Sequence, residues 1–150
     1  MASSRFYQTT EHDRPMPDHL DHIPPAAALL GREIISVDAS LGEVRLRFLA
    51  DPRFANRHGT VQGGMLAAML DSATGNAVMA NLPSDRTAVT TRLDTTFVKP
   101  AAIGPLTATA RVVEQDDRTA FAEAKLLDGS GQIVAHARAE LRILKRRQET

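Results

Sequence analysis

From Val61 to Ala80 the chain is apolar on nearly every side of a helix and carries one charge, Asp71. The run holds Met65-Leu66-Ala67-Ala68-Met69-Leu70, then Ala73, Ala77, Val78 and Met79, all of them tolerated or favoured in helices. A helix that is apolar all round has to be covered all round. The run therefore predicts one long buried helix that ends near Asn81-Leu82-Pro83, and the rest of the chain must supply its cover.

The cover reads as strands. Glu43-Val44-Arg45-Leu46-Arg47-Phe48 alternates strictly, with Val44, Leu46 and Phe48 on one face. Arg32–Ala39 is its expected hairpin partner, joined through Ser40-Leu41-Gly42. Four more strand-like runs follow the helix: Thr87–Val98, Leu106–Val113, Thr119–Leu127 and Ile133–Ile143. Turn signals at Lys99-Pro100, Gly104-Pro105, Asp116-Asp117 and Asp128-Gly129-Ser130-Gly131 separate them. Ala120, Ala122 and Ala124 form one small-residue stripe, and Ala135, Ala137 and Ala139 another, so a helix can approach the sheet closely there. The expected fold is α+β, an antiparallel sheet wrapped around one central helix. Glu43, Arg45, Arg47, Glu123 and Lys125 fall on the opposite, charged face. Residues 1–30 read as a polar, proline-bearing arm that ends in a short helix, Pro25–Leu30, stopped by Gly31. Residues 31–150 read as a single domain.

At 150 residues the chain buries roughly 68–70% of its unfolded surface as one domain. Basic and acidic side chains number 18 each, which argues against nucleic acid as a partner. With no Trp, one Tyr and five Phe, there are few platforms for stacking bases. The absence of cysteine excludes disulfides, thiolate zinc sites and a cysteine nucleophile. No apolar run approaches the roughly 18 residues that span a bilayer, and the opening residues lack the apolar stretch of a secretion signal. A cytoplasmic location without membrane contact is the expectation.

Chemistry concentrates in Asn56-Arg57-His58-Gly59-Thr60-Val61-Gln62-Gly63-Gly64, followed by Asp71. A carboxylate on so apolar a helix is expensive to bury alone. It lies at the helix's wet edge, or is paired, or serves as a base whose desolvation raises its pKa. Gly63-Gly64 sits where the helix begins. Unpaired backbone N–H groups and the positive end of the helix dipole there suit a polarised carbonyl or an oxyanion, although such a pair also makes tight turns. Gly63 and Asp71 are eight residues apart, about 12 Å along one helix. One carbonyl carbon cannot meet both from the same helix, so a shared site requires two copies related by two-fold symmetry.

These features together resemble the hotdog-fold thioesterases, specifically the phenylacetate-pathway type of acyl-CoA thioesterase. The resemblance rests on the long helix with its surrounding strands, the spacing of Asn56, Gly63-Gly64 and Asp71, and Phe97-Val98-Lys99-Pro100-Ala101 at a strand end. It covers roughly Gly31 to Ile143. It implies a hotdog fold and hydrolysis of aryl- or short- to medium-chain acyl-CoA, in an obligate homodimer that associates further as a dimer of dimers. No cofactor or metal is implied. It assigns Asp71 as general base or nucleophile, Gly63 N–H as the carbonyl-polarising donor, and Asn56 and Thr90 as positioning groups for carbonyl and water. Gln62, Gly64, His58, Thr91 and Lys99 are the candidate substrate-binding residues. Met65, Met69 and Phe54 are expected to line the acyl pocket. Arg86, Arg92, Lys99, Arg111 and Arg118 are the candidate partners for CoA phosphates. Gln62 departs from the His that many members carry before the Gly-Gly pair; it hydrogen-bonds but does not titrate.

Two rival readings remain. A hydratase or dehydratase of acyl thioesters would want a catalytic histidine beside an acid, and only His58 is near. An acyl-CoA binder without turnover would share the same fold. Glu11-His12-Asp13 and Asp18-His19-Leu20-Asp21-His22 match metal ligands by residue type, but a solvated acidic arm is the simpler reading.

Overall fold

The computed structural model describes residues 23–147. The order of elements is α1 (Pro25–Leu29), β1 (Glu33–Asp38), β2 (Glu43–Ala50), a 3-10 turn (Pro52–Phe54), α2 (Gly63–Ala80), β3 (Arg86–Phe97), β4 (Gly104–Gln115), β5 (Thr119–Leu127) and β6 (Ile133–Lys145). The acidic arm motifs at residues 11–13 and 18–22 lie outside the described residues. Every strand pairing is antiparallel, in one six-stranded sheet ordered β1-β2-β4-β5-β6-β3. Helix α2 crosses one face of this sheet and packs on β2 to β6. This is the hotdog architecture.

Alternation sets which face is buried. Val44, Leu46 and Phe48 point under α2, as do Ala120, Ala122 and Ala124 and then Ala135, Ala137 and Ala139; all are buried. The alanines leave room for the helix, whose Leu66, Met69, Leu70, Ala73 and Ala77 complete the core. Gly31 is forced by geometry twice over. Its φ is 62°, and a Cβ there would stand 2.9 Å from the Leu49 Cβ. That closeness lets Leu49 N–H donate to Leu30 C=O at 3.0 Å, tying the end of α1 to β2.

Helix α2 begins two residues later than the sequence run suggests. Val61 N–H donates to Ala101 C=O and Gln62 N–H to Phe54 C=O, so tertiary partners hold this backbone out of the helix. Strand β3 carries an irregularity of register between Thr90 and Arg92. Thr90 opposes Leu141, Arg92 opposes Glu140, and Thr91 is the extra residue of a β-bulge.

Candidate active site

Asp71 lies midway along α2 on its solvent edge, so the first of the three alternatives holds for the single chain. Thr90 of β3 donates its hydroxyl to Asp71 Oδ1 at 2.7 Å. No cation lies within ion-pair distance of Asp71 among the described residues. Among the described residues Oδ2 has no hydrogen-bond partner.

The helix turn beneath Asp71 is heavily braced. Thr74, fully buried, donates its hydroxyl to Leu70 C=O at 2.9 Å and lies 3.1 Å from Asp71 C=O. Asn76 Nδ2 donates to Ser72 C=O at 2.7 Å, and Arg32 Nη1 donates to Ser72 Oγ at 3.2 Å. Back-bonding of this kind explains how two buried polar side chains sit on an apolar helix without unsatisfied groups.

The start of α2 is bare. Gln62 caps it without a side-chain hydrogen bond, and the N–H groups of Gly63 and Gly64 have no acceptor among the described residues. The two glycines differ. A Cβ on Gly63 would meet Phe97 Cζ at 3.3 Å, whereas a Cβ on Gly64 would meet nothing within 4 Å. A side chain at position 63 would thus crowd the Phe97 ring. That ring, half exposed, forms a wall beside the free N–H groups.

The bulge at Thr91 brings these parts to one face. Directly opposed residues of paired strands share a face. Ala88 and Thr90 oppose Ile143 and Leu141, which are buried; Leu93, Thr95 and Phe97 oppose Ala139, Ala137 and Ala135, also buried. Thr90 and Phe97 are an odd number of residues apart and would face opposite sides of a regular strand. The extra residue puts both on the helix side. Thr91 Oγ1 itself donates to Glu140 C=O at 3.1 Å.

The remaining candidates are placed as follows. Asn56 Oδ1 accepts from the N–H of His58 at 2.9 Å and of Thr60 at 3.2 Å, while its Nδ2 donates to Thr60 Oγ1 at 3.0 Å. Its amide therefore shapes the loop that leads to Gly63. His58 and Gln62 are exposed on that loop. Lys99 lies at the far end of β3, where its Nζ pairs with Asp128 Oδ2 at 2.7 Å and bonds Gln132 Oε1. The Lys99 ammonium, then the Ser130 hydroxyl and the Gln132 N–H, hold the Asp128 carboxyl well below the usual carboxylate range. Of the other basic candidates, Arg92 pairs with Asp94 and Arg111 with Glu123.

One expectation is corrected. Met69 and Phe54 do not line an acyl pocket, because both are buried in the chain's own core; only Met65 is half exposed. Hydrophobicity alone does not separate a core side chain from a pocket side chain. Sequence reasoning also passed over Phe97 as a neighbour of Gly63, and over Arg32 entirely. The strand-end motif contained Phe97, but nothing local signalled the contact.

Fold and site geometry together define a hotdog enzyme with a helix-borne carboxylate, and comparison with known proteins agrees. Residues 58–135, just over half of the chain, match the thioesterase superfamily. A Halobacterium salinarum protein named as an esterase is 33% identical over 119 residues, 72% of this chain and 78% of its own. A solved thioesterase-type structure from Ralstonia eutropha, described as phenylacetic acid degradation-related, is 34% identical. It aligns over 81% of this chain and 91% of its own with a TM-score of 0.78. The Escherichia coli PaaI protein, from the phenylacetic acid degradation operon, is 25% identical with a TM-score of 0.76, covering 84% of this chain and 88% of its own. The chain belongs to the thioesterase superfamily and is a thioester hydrolase of the PaaI-like hotdog type. No helix among its described residues is long and apolar enough to cross a membrane.

Proposed function

We propose that this thioester hydrolase cleaves acyl-CoA to free acid and CoA, with aryl or short- to medium-chain acyl groups as substrates. The observation that carries the proposal is the Thr90–Asp71 hydrogen bond of 2.7 Å on a helix whose own start presents unpaired N–H groups at Gly63 and Gly64. Thr90 occupies Oδ1 and orients the carboxylate. Oδ2 takes a proton from water as the water oxygen attacks the thioester carbon, or attacks that carbon itself to form a mixed anhydride that water then hydrolyses, releasing the acid and restoring the carboxylate. Charge developing on the carbonyl oxygen is met by the Gly63 N–H at the dipole's positive end. The C–S bond then breaks, and the CoA thiolate leaves and is protonated. Asn56 fixes the loop that presents Gly63 and keeps a second amide N–H for the carbonyl. Gln62 and His58 border the site from that loop, Gly64 from the first turn of α2, Thr91 from β3 and Lys99 from the segment that follows it.

Eight residues separate Asp71 from Gly63, about 12 Å of helix, so each site takes Asp71 and Thr90 from one subunit and Gly63 of the partner subunit. Strand β3 supports this arrangement. It is a sheet edge of twelve residues with Val89 and Phe97 exposed, a form that isolated chains avoid unless a second strand covers it. Pairing of two β3 edges gives a homodimer with two equivalent sites, and two dimers then associate.

The test is thiol release from a panel of aryl- and straight-chain acyl-CoAs, with Asp71→Asn alongside. The chain has no cysteine, so it adds no thiol background. Turnover lost in Asp71→Asn supports the reading. A folded dimer that binds acyl-CoA without turnover replaces it with a binding role.

A further inference from the structure

Five exposed arginines have carboxylate partners: Arg47 pairs with Glu33, Arg53 with Asp51, Arg92 with Asp94, and Arg111 and Arg138 with Glu123; others, such as Arg45 and Arg142, stand in solvent. Arg32 is different. It is half-buried at the start of β1, and burial pulls its guanidinium down from its usual value. Its one side-chain partner among the described residues is a neutral hydroxyl, Ser72 Oγ at 3.2 Å. A guanidinium has five N–H donors in a planar fork, matched to a carboxylate or a phosphate. Withdrawing such a cation from water without an anion is costly, and among the described residues no carboxylate lies within ion-pair distance of this half-buried guanidinium.

Its place is also informative. Ser72 directly follows Asp71 on α2. Successive helical side chains diverge by about 100°, so Asp71 and Ser72 flank one strip of the helix's outward face. Ala68 and Gly75 lie on that strip, and a Cβ on Gly75 would meet nothing within 4 Å. The carboxylate held by Thr90 stands on one side of an open, small-residue strip and the guanidinium held by Ser72 on the other.

We infer that Arg32 is a specificity residue that binds an oxyanion of the thioester substrate, either a carboxylate at the far end of the acyl group or a phosphate of the carrier. The inference rests on the thioesterase reading and names part of its substrate. Arg32 does not act on the reacting carbon; it selects which thioesters are held at Asp71.

Four thioesters separate the two sources: glutaryl-CoA, pentanoyl-CoA, and the N-acetylcysteamine thioesters of both acyl groups, assayed with wild type, Arg32→Met and Arg32→Lys. If the acyl carboxylate is bound, Arg32→Met lowers kcat/KM for both glutaryl esters by about tenfold to a hundredfold relative to the pentanoyl esters. If a phosphate is bound, the loss follows the CoA esters and spares the N-acetylcysteamine esters. In either case Arg32→Lys recovers part of the loss, because it restores the charge without the fork. An equal change across all four substrates, or none, overturns the inference while leaving the thioesterase reading intact. If wild type hydrolyses none of the four, the acyl-CoA reading is left to the aryl members of the panel, and the inference is decided by thermal melts with glutarate and with pyrophosphate. A rise in Tm in wild type that is missing in Arg32→Met supports it, and no difference between the two proteins overturns it.

Discussion

Thr90 and Phe97 face the same side of β3 although their positions differ by an odd number, and the bulge at Thr91 is the reason. Through it one strand delivers a hydroxyl to Asp71 and a ring to Gly63. Deleting Thr91 restores regular alternation and turns one of the two away from the helix. Turnover should fall by roughly a hundredfold or more, the scale of a misplaced catalytic group, while circular dichroism retains the sheet signal. Thr91→Val keeps the extra residue and should keep most of the activity. Equal activity in the deletion and in wild type would show that the bulge positions nothing.

The Thr90–Asp71 bond gives a graded prediction. Asp71→Asn removes the proposed base or nucleophile and should lower kcat by about 10²–10⁴-fold. Thr90→Val leaves the carboxylate and removes only its orienting donor. A hydrogen bond to a charged group is worth about 1.5–3 kcal/mol, so kcat should fall by roughly tenfold to a hundredfold, with KM moving less. Steady-state kinetics on the best acyl-CoA of the panel reads both. A Thr90→Val enzyme with unchanged kcat would remove Thr90 from the mechanism.

The two glycines at the start of α2 should respond differently to alanine. Gly64→Ala places its methyl in open space on a helical residue and should leave Tm unchanged or raise it, since alanine is the better helix former. Gly63→Ala pushes a methyl against Phe97 Cζ at 3.3 Å and should lower Tm and activity together. Adding Phe97→Leu to Gly63→Ala should recover part of the lost Tm. Thermal melts of the three variants check this.

Lys99 and Asp128 give a pH-dependent prediction. The Asp128 carboxyl in the folded chain lies below its ordinary value, chiefly through the Lys99 ammonium. A depressed carboxylate pKa stabilises the fold above the unfolded value of about 3.9, and that stabilisation fades as pH falls through the lower folded value. Asp128→Asn should therefore melt below wild type by a constant margin from about pH 5 to 8. The two curves should converge as pH drops under about 4. A margin that persists in acid would mean that the effect does not come from the ionised carboxylate.

Much of the fold is legible because its cause is local. The alternation of Val44, Leu46 and Phe48, the alanine stripes of β5 and β6, and the all-round apolar α2 each read directly as faces. Asp71 stands out because it is the one charge on that helix. What escapes the sequence is set at long range. The late start of α2 depends on Ala101 and Phe54 holding Val61 and Gln62. The bulge at Thr91 sits in a run of threonines that looks regular. Arg32 meets Ser72 across forty residues of chain. Met69 and Phe54 read equally well as pocket or core, and only packing assigns them to the core.

The strongest test of a site shared between subunits uses two inactive chains. Gly63 is the first residue of α2, a position where proline is accepted, and Gln62 ahead of it has φ −56° and ψ 131°, the conformation a following proline requires. Gly63→Pro therefore deletes the N–H and keeps the helix; Phe97→Leu in the same chain makes room for the ring. Asp71→Asn keeps the N–H and loses the carboxylate. Each variant alone should be nearly inactive. Mixed and refolded together, they form heterodimers in which one site joins the intact Asp71 of one chain to the intact Gly63 of the other, while the second site carries both defects. Random pairing at equal amounts makes half the dimers mixed, each with one working site of two, so activity should return to about a quarter of wild type. A mixture as inactive as its components would mean that Gly63 and Asp71 serve the same site from within one chain, or that no common site exists.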